Sequence, residues 1–252
     1  MDMLGYKEMW WQAEREGSQV TFLHRLYEAL EEGQDWLFPN DSDVWPTDKD
    51  RYAIKAFTDN IVIGWPVRGD AESELGSIFS NIAYFQLRMA TRGFFLRGAI
   101  ALGDAYVDDV VVLGSAFLEA VQGEAQAKNP RIILTDTASA AVKRHLTYYS
   151  RSDYAPQYSD LYQDSDGKWF VNYLETILAA GEECPFFEEL EKHRDNIIQR
   201  LEEFRSDSKI QDKYIWAANY HDFFCDQRSH YFSDYKIDPK ARQTSFHRIA
   251  QS

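Results

Sequence analysis

The chain has 252 residues, which fits one large α/β domain or a core with a helical appendage, and hydrophobic residues at 44% are enough for a sizeable interior. Its 41 acidic against 27 basic residues give a net charge of −14, and with no Lys/Arg block it lacks the basic footprint of a nucleic-acid binder. No apolar run approaches the roughly 20 residues of a membrane span, the N-terminus has no signal-peptide pattern, and Cys184 and Cys225 form no CxxC, so the expectation is a soluble cytoplasmic protein without a structural disulfide.

In chain order, Gly5–Leu30 carries apolar positions Trp10, Leu23, Leu26 and Leu30 among charged ones, which predicts helix, broken in two at Gly17-Ser18. Gly33–Asp50 is polar, contains Pro39 and Pro46, and reads as a loop. Arg51–Val67 is rich in β-formers around Thr58-Asp59-Asn60, which predicts a hairpin with Asp59 at its tip. Glu72–Arg92 has a helical stripe closed by Gly93. Phe94–Leu102 and Ala105–Leu113, joined by Gly103-Asp104, predict a second hairpin. Ser115–Ala127 follows as a helix with Ser115 as N-cap. Arg131–Thr135 reads as a buried strand and Thr137–Leu146 as a helix.

From Gln157 the texture changes. A short hairpin is expected at Asp166-Gly167, then amphipathic helices at Phe187–Arg205 and Lys209–Cys225, then a loose polar tail. The expected fold is α+β: a mainly antiparallel sheet covered by helices over 1–150, with a hairpin and helical extension over 151–252.

Three local features carry the chemistry: Asp2-Met3-Leu4-Gly5-Tyr6-Lys7, Phe57-Thr58-Asp59-Asn60-Ile61, and Arg97-Gly98-Ala99-Ile100 running on to Gly103 and Tyr106, followed by Gly114-Ser115. Read locally, Asp59 is a turn aspartate bonding its own backbone. Taken in order, the set resembles the class III adenylate/guanylate cyclase domain, in a bacterial branch with the pattern DxLGF-K, FSDS-I, RGAI-x-x-G-x-x-Y. Pro130-Arg131-Ile132, Asn172-Tyr173-Leu174, His193, Lys213-Tyr214-Ile215-Trp216 and Tyr220-His221 continue the match over nearly the whole chain. That branch includes the pyrimidine cyclases of bacterial Pycsar antiphage systems.

The resemblance implies a ferredoxin-like core and a cyclase that converts UTP to 3′,5′-cyclic UMP and pyrophosphate, as an alarm signal for a separate cyclic-nucleotide-sensing effector. It implies two divalent ions, Mn²⁺ or Mg²⁺, held by Asp2, Asp59 and the backbone carbonyl of Met3. Hard cations favour such oxygens, and they offset triphosphate charge in an acidic protein. Backbone groups of Leu4, Gly5 and Tyr6 would cradle the phosphates at a helix start. It also implies a homodimer, with each active site drawing on both protomers.

Arg97 is the candidate for transition-state charge or a triphosphate contact, with a structural salt bridge as the other reading. Lys55, on one strand face with Phe57 and Asp59 by alternation, is assigned with Phe57 to the nucleotide; its alternative is a solvated edge lysine. The family's ribose-orienting Asn and transition-state Arg are replaced by Leu118 and Gln122, and its adenine-reading Asp by Val111, which argues against a purine. A lysine donor suits the two carbonyls of uracil, with CTP as the alternative. The family also has a short apolar strand ahead of its first aspartate, where this sequence opens at Met1. These departures leave a second reading open, a non-catalytic nucleotide-binding module. The six histidines have no metal-ligand spacing, and His193 and His221 are expected to pack in the interior.

Overall fold

The computed structural model describes residues 1–37, 53–108, 111–179, 185–237 and 246–249. Strand β1 (Asp2–Met3) leads through Gly5, at φ 71°, into helix α1 (Tyr6–Glu16). Gly17, at φ 67°, ends α1 in the left-handed region that only glycine enters without strain, so the break falls at Gly17-Ser18. Helix α2 (Gln19–Leu37) then runs through Gly33, where a loop was expected. A Cβ there would lie 2.5 Å from the Phe85 ring, so this glycine lets two helices approach and does not mark a turn. The remainder of the expected loop lies outside the described residues.

Strands β2 (Ala53–Phe57) and β3 (Asn60–Gly64) form the expected hairpin, turning at Thr58-Asp59 with Thr58 at φ 55°. Helix α3 (Glu72–Thr91) packs against α2 and ends beside Gly93, at φ 85°. Strand β4 (Leu96–Ile100) follows. The second hairpin expectation fails here. β4 pairs with β1 on one side and runs parallel to β7 (Ile132–Leu134) on the other, leaving no edge for the next segment. That segment folds on itself as β5 (Tyr106–Val107) and β6 (Val112–Leu113), a separate two-stranded ribbon. Helix α4 (Ser115–Ala127) crosses from there to β7; its N-cap is Gly114, one residue before the expected Ser115.

After α5 (Asp136–Leu146) and the short α6 (Gln157–Asp160), β8 (Leu161–Gln163) and β9 (Trp169–Val171) form the hairpin around Gly167, and β9 pairs with β7. Helices α7 (Phe187–Glu203) and α8 (Ser208–Gln227) pack on each other. Asp207 caps α8 by accepting from the Lys209 and Ile210 amides. A single turn, α9 (Ser229–Phe232), precedes β10 (His247–Arg248). The tail is therefore not all loose: β10 pairs with β8, and Phe246 and Ile249 beside it are buried.

The result is α+β. Eight strands lie in the order β10-β8-β9-β7-β4-β1-β3-β2, every neighbouring pair antiparallel except β4 and β7. Its first part is strand–helix–helix–strand–strand–helix–strand with order β4-β1-β3-β2, which sets the two-residue β1 between β3 and β4. Phe79, Phe85, Phe94, Phe95 and Phe170 fill the interior. No described helix is long and apolar enough to cross a membrane.

Candidate functional site

Asp2 and Asp59 come together because β1 docks against the β2–β3 turn. Asp2 sits opposite Asn60, and the Met3 amide donates to the Asp59 carbonyl at 3.0 Å. The Asp59 carboxylate accepts from Thr58 Oγ1 at 2.8 Å and Asn60 Nδ2 at 3.0 Å, both on Oδ1. Asp59 sits in the turn as the local reading expects, but its carboxylate accepts from neighbouring side chains and not from its own backbone, with Oδ2 left out of those bonds.

On its other side β1 pairs with β4, so Asp2 also faces Arg97. Arg97 Nη2 donates to Asp2 Oδ2 and, at 3.2 Å, to Glu124 Oε1. The salt-bridge reading of Arg97 therefore holds in this state of the protein. Burial pushes the Asp2 carboxyl above its ordinary range; Arg97 pulls it back, while Glu124 and Asp59 add to the lift. Arg97 Nε is buried with no hydrogen-bond partner. Glu124 was not assigned to the site from sequence. It arrives because α4 crosses over between the parallel strands β4 and β7.

The start of α1 stands directly after β1. Gly5 is its N-cap, and no side chain caps the helix. The first intrahelical bond runs from the Met9 amide to the Gly5 carbonyl at 2.9 Å, so the amides of Tyr6, Lys7 and Glu8 have no partner within the helix. With the helix dipole they make a position suited to an anion. The Leu4 amide is committed to the Phe95 carbonyl at 2.9 Å, so it is not available to the phosphate cradle expected over Leu4–Tyr6.

Lys55 lies on the edge strand β2, opposite Val62, and is half-buried. Phe57 pairs with Asn60 through its backbone. Next to the carboxylates a cavity of about 350 Å³ opens between β3, β4, α3 and α4, with Met1, Ile63, Ala99, Phe117 and Glu124 on its walls. Leu118 and Val121 of α4, with Tyr106 and Leu113 of the ribbon, are exposed apolar side chains on neighbouring elements.

Two carboxylates on adjacent backbone segments, with a third near, are the oxygen donor type that Mg²⁺ or Mn²⁺ takes. Such ions take one or two carboxylates and complete their shells with water and substrate phosphates. A dedicated cage is not required, and among the described residues no group of three or more His, Cys, Asp or Glu forms one. His193 and His221 are buried in the interior, as expected, and the Tyr214–Phe224 aromatics are core. Cys225 is a buried free thiol.

No family model, curated protein or solved structure matches this chain, so its reading rests on the residues and their geometry.

Proposed function

We propose that this chain is a nucleotidyl cyclase of the class III type, converting UTP to 3′,5′-cyclic UMP and pyrophosphate with two divalent ions, as a signal in phage defence. The observation that carries the reading is the side-by-side placement of Asp2 and Asp59 next to the uncapped start of α1. Its setting is a sheet whose first four strands lie in the order β4-β1-β3-β2, with two helices in the first connection and one in the last, which supports the ferredoxin-like core that the resemblance implies.

In this reading Asp2, Asp59 and the Met3 carbonyl hold the cations, and the amides from Gly5 onward hold phosphate oxygens. When bound, the cations lower the pKa of the ribose 3′-hydroxyl and offset triphosphate charge. The 3′-oxygen attacks the α-phosphorus as its proton passes to solvent, the bond to the oxygen bridging to the β-phosphate breaks, and pyrophosphate leaves with that oxygen. Arg97, released from Asp2, turns its guanidinium to charge on the transferring phosphoryl group. Lys55 donates to uracil carbonyls, with CTP as the alternative substrate. The exposed Tyr106, Leu113, Leu118 and Val121 support a homodimer, since an interface would cover them.

The second reading, a non-catalytic nucleotide-binding module, is favoured by the occupied Arg97–Asp2 pair and by Leu118 and Gln122 where the family has its Asn and Arg. One incubation separates the two. The purified protein is given ATP, GTP, CTP and UTP separately with Mn²⁺, and products are resolved by mass spectrometry. A cyclic pyrimidine monophosphate supports the enzyme, and no product from any of the four supports the module.

A further inference from the structure

Gly123 seats α4 on the sheet. A Cβ there would lie 2.6 Å from the Ala99 Cβ and 2.9 Å from Thr135 Cγ2, so only glycine lets the helix come this close to β4 and to the end of β7. The next residue, Glu124, is thereby delivered to Arg97, which shares the Ala99 face of β4 by alternation. Asp2 stands opposite Arg97 on β1 and so lies on that face too. Three charged side chains, all partly buried, meet there.

The guanidinium is shared between two carboxylates and committed to neither. Arg97 Nη2 alone serves both, on Asp2 Oδ2 and, at 3.2 Å, on Glu124 Oε1, while Arg97 Nε is buried with no hydrogen-bond partner. An arginine given wholly to one carboxylate takes it in a fork, through two nitrogens. Here the nitrogen that would complete such a fork is idle. Were Arg97 to leave Asp2 with no second partner, a partly buried charge would stand uncompensated, which is costly. Glu124 supplies that second partner on the same side of the sheet. It stands on the wall of the cavity between β3, β4, α3 and α4, so its side chain has room to follow the guanidinium.

We infer that Glu124 is a positioning residue, which takes over the Arg97 guanidinium when a divalent cation engages Asp2. Glu124 thereby sets how strongly Arg97 opposes the cation. The inference rests on the metal-binding part of the proposed function and goes beyond it by naming what holds Arg97 once Asp2 is occupied. Glu124 acts through Arg97 and is not itself a ligand of the ion.

The test is a double-mutant cycle on Mn²⁺ affinity, read by electron paramagnetic resonance without turnover. It compares wild type, Glu124→Gln, Arg97→Met and the double variant, each checked for folding by thermal melts. Glu124→Gln removes a negative charge near the ion in either background, so some weakening is expected in both. Where Arg97 is present, the variant also leaves it fixed on Asp2. The weakening there is expected to exceed that in Arg97→Met by roughly fivefold or more. If Glu124→Gln does not fold, Glu124→Asp supplies the cycle: it keeps the charge but draws it back from the guanidinium by one methylene, and should show the same sign of coupling. Equal factors in the two backgrounds would reduce Glu124 to a nearby charge and overturn the inference. A larger factor in Arg97→Met would make Glu124 a metal ligand that Arg97 shields, and would overturn it as well while leaving the metal assignment standing. No Mn²⁺ binding by any of the four proteins removes the metal assignment and the inference with it. The expected coupling without cyclic product from any nucleotide would support the inference and count against the cyclase reading.

Discussion

Arg97 and Asp2 stand opposite each other on neighbouring strands, with Nη2 of the arginine on Oδ2 of the aspartate. The guanidinium takes a lone pair of that oxygen and sets a positive charge beside the carboxylate, so the pair opposes metal binding. Removing the positive charge with Arg97→Met is expected to tighten Mn²⁺ binding at least several-fold, since one unit charge about 6 Å from a divalent ion amounts to about 1.4 kcal/mol even at the dielectric of water and to more where screening is weaker. Turnover is expected to fall by about 10²-fold, because the charge on the reacting phosphoryl group loses its partner. A Mn²⁺ titration followed by electron paramagnetic resonance reads the first effect. Unchanged or weaker Mn²⁺ affinity in the variant would mean that Asp2 is not a metal ligand.

Asp59→Ala separates turn from metal. The side chain's two bonds, from Thr58 and Asn60, lie within a partly exposed hairpin turn, so their loss is expected to cost about 1 kcal/mol of stability. Activity is expected to drop by 10²–10³-fold or more, of the order seen when a transition-state electrostatic contact is removed. Asp59→Asn keeps the turn bonds and should be nearly as inactive. Circular dichroism and the cyclase assay on both variants check this; a folded Asp59→Ala with full activity contradicts the two-metal assignment.

Much of this site was visible in the sequence where geometry is local. Asp59-Asn60 marks the hairpin turn by residue type, although the positive φ falls on the β-branched Thr58, and Gly17 breaks its helix in the left-handed region that glycine accepts. Gly33 misled because the local rule for glycine cannot see Phe85 arriving from another helix. The run Phe94–Leu102 misled because its pattern is the same whether it pairs with its neighbour or with strands far away; only the sheet's order decides. The contacts of Arg97 with Asp2 and Glu124 need β1 between β3 and β4, and the β4–α4–β7 crossover besides.

The pair His193–His221 should make the fold acid-sensitive. His193 Nδ1 lies 2.9 Å from His221 Nδ1, Tyr173 Oη bonds His193 Nε2 at 2.8 Å, and His221 Nε2 meets the Tyr235 carbonyl at 3.0 Å. Burial lowers the His221 pKa to about 4 and holds His193 well below 6.5. Native imidazoles thus stay neutral while unfolded ones take protons below 6.5. The stability they contribute is present above pH 6.5 and is lost as pH falls from there toward 4. The loss is up to about 2 kcal/mol per histidine by pH 5. Urea midpoints between pH 7.5 and 4.5 should fall in wild type and fall less in a His193→Leu, His221→Leu double variant. Parallel profiles for the two proteins would remove the pair as the cause.

Asp160 should act in the opposite direction. It ends α6 where its backbone carbonyl accepts from the Asn172 amide at 2.7 Å, and its carboxyl is pushed up to about 7, first by burial and also by nearby Glu175, against a weak bond from Ser159. With the native value above the unfolded 3.8, the protonated form favours folding. That contribution is complete below 3.8 and is lost as pH rises through about 7. Above that, the fold holds a poorly solvated anion. Asp160→Asn removes the charge while keeping an oxygen to accept from Ser159, so it should stabilise the protein at pH 8 by about 1–3 kcal/mol, less than the full shift implies because the group is partly open to solvent. Near pH 4 the two proteins should differ little. Asp160 lies outside the candidate site, so turnover at a given folded concentration should not change. Urea midpoints at pH 4 and pH 8 decide it: equal midpoints at pH 8 would mean that the carboxylate is solvated and that burial imposes no cost there.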